Sequence, residues 1–128
     1  MARVTQLSVC LENKPGMAAK LGEVLRRAKV NIVAISVVDS TDTGVVRLIV
    51  DNTARAGMAL TRAGMKPTRQ AVLALDLPNE PGALAEAGAK LAKAGVNINY
   101  LYGSAPRRLG EAMIVMGVDN IRKATAVT

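Results

Sequence analysis

Apolar residues along the chain follow two rhythms, one of period two and one near the helical repeat, and the rhythms come in the same order twice. Leu7, Val9 and Leu11 alternate with Gln6, Ser8 and Cys10, the pattern of a strand with one face in a core. After Pro15-Gly16, apolar positions recur at Met17, Leu21, Val24 and Ala28, with Lys20, Glu23 and Arg27 between them, which is helical spacing. Strands are then expected over residues 30–39 and 45–51, joined by the polar turn Ser40-Thr41-Asp42-Thr43-Gly44. Thr53 is expected to cap a short helix over residues 54–63 that stops at Gly64, and residues 66–70 can supply a last strand.

The second half repeats the first. Leu11-Glu12-Asn13-Lys14-Pro15-Gly16 lines up with Leu77-Pro78-Asn79-Glu80-Pro81-Gly82 at an offset of 66, and the same offset without a gap matches Val30-Asn31-Ile32 with Val96-Asn97-Ile98 and Gly44 with Gly110. Leu73, Leu75 and Leu77 form the second strand pattern, and Leu84, Ala87, Leu91 and Ala94 the second helix, stopped by Gly95. Residues 96–103 and 111–117 make the second hairpin, and Asp119 is expected to cap a helix from Asn120 onward. Two domains are therefore expected, residues 1–66 and 67–128, each an α+β ferredoxin-like βαββαβ unit with helices on one face of an antiparallel sheet.

Repeat 2 stops at Thr128, short of its own last strand. Its first strand, residues 72–77, would then be a sheet edge unless a neighbouring chain covers it or residues 68–70 run on continuously into it; a pair shorter than usual is the third possibility. Strict alternation puts Val33, Ile35, Val37, Val45, Ile49, Leu101, Met113 and Val115 on the face away from the helices, a surface apolar enough to call for another sheet or subunit. It also puts Tyr100 and Tyr102 on the helix side with Ile98.

Composition narrows the chemistry. The 128 residues include no His, which removes Ser-His-Asp and Cys-His catalysis, His-ligated metals and an imidazole pH switch. A single cysteine, Cys10, allows no internal disulfide and no multi-Cys metal site, and suits a reducing compartment. No signal-like or membrane-length apolar stretch occurs, so a cytoplasmic protein is expected. Net charge is +7, but the cations are dispersed and the only aromatics are Tyr100 and Tyr102, which weighs against nucleic acid as a partner.

A strand, then Asn-x-Pro-Gly, then a helix ending at Val-Asn-Ile, twice over, resembles the ACT domain, a small regulatory module that binds amino acids and other metabolites. The resemblance covers nearly the whole chain, residues 3–124, and implies a stand-alone tandem ACT protein. It also implies ligands at the interface between modules, between the turn of one and the start of the second strand of its neighbour. Carried over by position, the ligand-binding candidates are Asn13, Lys14, Pro15, Gly16, Met17, Ala18, Asn31 and Ile32 in repeat 1. Their counterparts are Asn79, Glu80, Pro81, Gly82, Ala83, Leu84, Asn97 and Ile98 in repeat 2, with Tyr100 bordering the site or the seam.

The turn supports such a role on physical grounds. Pro before Gly favours a tight turn in which Gly takes the positive φ, leaving amides at a helix N-terminus to meet a carboxylate, while an Asn side chain offers both donor and acceptor. Lys14 against Glu80 makes the two sites unequal in charge. Each residue also has a plain structural role open to it: the Asn residues as helix caps or strand starts, the tyrosines as core filling.

No Walker loop, no Gly-x-Gly-x-x-Gly after a strand and no metal-spaced cluster is present, and Asn13-Lys14-Pro15-Gly16 lacks the Arg of a phosphate-cradling acylphosphatase loop, so no enzyme, cofactor or metal is expected. The sequence favours an amino-acid sensor acting as a homodimer. An oligomerisation or protein-interaction module without ligand stays open, and a basic nucleic-acid binder ranks below both.

Overall fold

The computed structural model of the chain describes residues 3–40 and 42–128; Met1 and Ala2, at the head of the first expected domain, and Thr41, in its expected hairpin turn, lie outside the described residues. Among the described residues the order is β1 (Arg3–Glu12), α1 (Met17–Arg27), β2 (Ile32–Asp39), β3 (Thr43–Val50), α2 (Thr53–Arg62), β4 (Thr68–Pro78), α3 (Ala83–Lys93), β5 (Ile98–Ser104), β6 (Glu111–Val118) and α4 (Ile121–Val127). The chain is α+β with antiparallel strands, as its two rhythms predict. One compact unit holds residues 5–70, and the other holds residues 71–128 together with Arg3 and Val4. Of the arrangements expected after α2, the continuous one is found: residues 68–70 run without a break into the strand of repeat 2.

In the first unit the strands lie in the order β2-β3-β1. Leu7, Val9 and Leu11 of β1 and Val46 and Leu48 of β3 meet Leu21 and Leu25 of α1 and Leu60 of α2 in one core. The second unit has the order β4-β6-β5 and packs Leu73, Met116 and Val118 against Leu91 and Ala124. Each Leu so buried stabilises its unit by about 1.5–3 kcal/mol.

Alternation fails at one point in each unit. The register of β2 against β3 shifts between Ile32 and Ala34, and that of β5 against β6 between Ile98 and Tyr100. An extra residue in one strand reverses every face beyond it. Ile35 and Val37 therefore pair with Leu48 and Val46 on the helix side, as Leu101 does with Met116, contrary to the faces expected from strict alternation. Tyr100 and Tyr102 move the opposite way, pairing with Gly117 and Val115 on the face away from the helices. Of the residues expected on that far face, Val45, Ile49, Met113 and Val115 are on it; Val45 is half-buried, and the other three are buried within the chain itself.

The repeat also changes register in its second hairpin. Gly44 stands opposite Leu11, and Ala112 stands opposite Leu77, so the offset rises from 66 to 68 and Gly44 is not the counterpart of Gly110. At the longer offset Asp51-Asn52 matches Asp119-Asn120. The helix caps are accordingly Asn52 and Asn120, not Thr53 and Asp119: their side-chain oxygens accept from the amides of Arg55 at 3.0 Å and Lys123 at 3.1 Å. The two aspartates have another task, described below.

Candidate functional site

The two Pro-Gly turns are built alike. Asn13 N–H donates to Asp42 O at 2.9 Å and Lys14 N–H to Glu12 O at 3.0 Å; Asn79 N–H donates to Gly110 O at 2.8 Å and Glu80 N–H to Pro78 O at 2.9 Å. Gly16 and Gly82 then take φ of 89° and 90°, a left-handed conformation that costs any L side chain. Each glycine is the N-cap of the following helix, and neither helix has a side-chain cap. Asn13 and Asn79 are therefore not capping residues. The Asn13 side chain instead donates to Ser40 O at 3.4 Å.

Charge separates the turns. α1 has no acidic residue in its first turn, so the positive end of its dipole is uncompensated, and Lys14 lies beside it. α3 has Glu86 in its first turn and Glu80 just before it. The helix start is thus flanked by a lysine at the first turn and by glutamates at the second.

A groove of about 200 Å³ runs from the first turn between α1 and β2. Leu11, Leu21 and Val46 form its floor, with Met17 on one wall and Ile35 and Val37 on the other; its polar end carries Asn13, Lys14, Glu12 and Asp39. Lys14 Nζ is 3.2 Å from Glu12 Oε2, an exposed pair worth little by itself. β2 is the last strand on its side of the unit, and Val37 is 60% exposed, so the groove opens along that edge.

Of the expected site residues, Asn13, Lys14, Met17, Ala18 and Ile32 line this groove, and Pro15 and Gly16 shape the turn at its end. Asn31 does not line it. Its N–H donates to Asp51 Oδ1 at 2.9 Å and its carbonyl accepts from Asp51 N–H at 3.1 Å, at the end of β2 remote from the Pro-Gly turn. Ile35, Val37, Glu12 and Asp39 line the groove without having been expected there; the two apolar residues were hidden by the bulge.

In repeat 2 the walls are reduced, because Ala83 stands where repeat 1 has Met17 and Gly103 where it has Val37, while Leu101 keeps the place of Ile35. Asn79, Glu80, Pro81 and Gly82 keep the turn, and Leu84 is 48% exposed. Ala83 instead borders a cavity of about 300 Å³ along β4, with Leu77, Ala87, Lys90 and Thr128. Asn97 repeats Asn31, with its N–H on Asp119 Oδ1 at 2.9 Å and its side-chain amide on Asn99 at 2.9 Å. Ile98 packs on the core, and Tyr100 faces the other way over Gly117.

Among the described residues no group of three His, Cys, Asp or Glu side chains is placed to hold a metal, and no helix is long and apolar enough to cross a membrane. Among the described residues Arg107, in the β5–β6 hairpin, has its pKa raised by its hydrogen bonds to Asp76, with desolvation acting against them. It belongs to the second unit, whereas the groove residues belong to the first.

A family model described as an ACT domain pair matches residues 2–128. The crystal structure of protein BT0572 from Bacteroides thetaiotaomicron is similar with a TM-score of 0.91 and 33% sequence identity, over 98% of this chain and 87% of that one. The ligand-free regulatory subunit of aspartate kinase from Thermus thermophilus gives a TM-score of 0.70 at 17% identity, over 96% of this chain and 87% of that one. The corresponding subunit from Thermus flavus gives 0.62 at 16%, over 99% and 92%; at such identities the likeness is one of fold. No curated protein matches the chain.

Proposed function

Because the chain belongs to the family of ACT domain pairs, whose modules are regulatory, we propose that it is a non-catalytic, ligand-binding regulator that takes an amino acid with an aliphatic side chain into the groove of its first module. The groove carries this reading: one end offers a cation, carboxylates and an uncompensated helix N-terminus, and the remainder is apolar. The ligand carboxylate meets Lys14 and the amides after Pro15. Its ammonium meets Asp39 or Glu12, and its side chain lies along Met17, Ile35 and Val37. The second turn, with Glu80 and reduced walls, binds weakly or not at all.

The groove is open along β2, so the interface expected from the family resemblance is formed by a second copy of the chain, and the bound ligand favours one arrangement of that dimer. Thermal melting with each amino acid tests the proposal. Leu, Ile or Val should raise the midpoint by several degrees, since a ligand at about a hundred times its Kd adds about 2.7 kcal/mol. No shift with any amino acid would favour the ligand-free interaction module, for which the exposed β2 edge is the supporting observation.

A further inference from the structure

The helical face of the first unit carries a charge imbalance that the ligand groove does not use. Residues 5–70 hold ten Lys and Arg against five Asp and Glu. α2 has no carboxylate, and Arg55, Arg62, Lys66 and Arg69, on α2 and the segment after it, are exposed and form no ion pair among the described residues. The one carboxylate of α1, Glu23, is already shared by Arg26 and Arg27, at 3.2 Å each. Unneutralised cations on one face create a positive potential that draws in a partner of opposite charge.

The same face has an apolar floor. Where α1 and α2 pack together, Val24, Ala28, Ala59 and Ala63 line a shallow trough with Arg27 and Arg62 at its margins. Arg62 also borders a second depression with Arg69 and Met58, which is 57% exposed. Small side chains between cationic margins are the complement of an amphipathic helix with an apolar stripe and acidic flanks. We propose that this face docks an acidic amphipathic helix of a protein partner, its apolar stripe on the alanine floor and its carboxylates against Arg27 and Arg62. A nucleic acid has no use for the apolar floor, and the first unit offers it no aromatic side chain to stack on.

The test uses the full chain and a fluorescent peptide of about 18 residues, with Leu at helical i, i+3 and i+4 spacing and Glu elsewhere. Two controls are a peptide of the same composition with scattered leucines and a DNA duplex of about 20 base pairs. The amphipathic peptide should bind and shift the amides of Ala28, Ala59 and Ala63. The double variant R27Q/R62E should weaken it by about tenfold with an unchanged melting midpoint. Ala59→Tyr, which fills the trough and keeps every charge, should weaken it as well. Equal binding of the scattered peptide, preference for DNA, or indifference to both variants would overturn the proposal.

Discussion

The ring of Tyr100 lies directly against Gly117, its partner across β5 and β6: a Cβ on residue 117 would stand 2.2 Å from Cε2 and Cζ of the ring and 2.7 Å from its hydroxyl. No real side chain tolerates that separation, so Gly117→Ala must drive the ring off the strand. We expect a loss of about 1–3 kcal/mol in chemical denaturation, with most of it recovered when Tyr100 is also replaced by Ala. An unchanged stability in Gly117→Ala would show that the ring does not pack there.

Lys29 and Gly95 end equivalent helices. Both follow the last helical turn with positive φ, 57° at Lys29 and 75° at Gly95, and in both the next amide bonds back to a leucine carbonyl, Val30 to Leu25 at 3.0 Å and Val96 to Leu91 at 2.9 Å. Only the glycine does so at no steric cost. Lys29→Gly should therefore stabilise the first unit by about 1 kcal/mol, and Gly95→Lys should destabilise the second by a similar amount, both read from denaturation midpoints.

The groove makes a prediction that separates folding from binding. Lys14 is exposed and its pair with Glu12 is weak, so Lys14→Ala should leave the melting midpoint of the free protein within about 0.5 kcal/mol of wild type and abolish the rise produced by Leu, Ile or Val. Glu80→Ala, at the equivalent place in the second turn, should leave that rise intact. Equal losses from the two variants would contradict a single working site.

Arg107 fastens the β5–β6 hairpin to β4. Its Nε donates to Asp76 Oδ1 at 3.1 Å and a terminal nitrogen donates to the other carboxylate oxygen, while Glu111 adds further attraction. The pair raises the pKa of Arg107, so its contribution is complete below the ordinary guanidinium range and is lost only as pH rises through the raised value. Across the neutral range Arg107 therefore confers no pH dependence. Arg107→Gln should cost about 0.5–1 kcal/mol, less at high salt, and should speed amide exchange of Leu109 and Gly110.

Much of the architecture was legible in the residues. Leu7, Val9 and Leu11 announced a half-buried strand, the Pro-Gly turns announced helix starts with a left-handed glycine, and the doubled motif announced two modules of one family. The bulges near Val33 and Asn99 carried no signal of their own, because Ile-Val-Ala-Ile-Ser-Val and Ile-Asn-Tyr-Leu-Tyr alternate acceptably in either register. That one-residue ambiguity placed Ile35, Val37 and Leu101 on the wrong face and hid one wall of the groove. The capping asparagines were visible in principle, since Asp-Asn occurs at both helix starts. The two extra residues of the second hairpin broke the offset that would have paired them.

The division of the chain between its two units has a consequence for how the protein is made. Synthesis runs from the N-terminus, and residues 5–70 have everything their unit requires once Gln70 has left the ribosome. Arg3 and Val4 emerge first of all described residues, yet their unit is completed only by residues 71–128. The opening of β1 thus waits for residues translated after Gln70, while the strands of the first unit can already pair among themselves. Such late, long-range closure slows folding relative to the local contacts of the first unit. Pulse-labelled hydrogen exchange during refolding should find the amide of Leu48 protected before that of Val4.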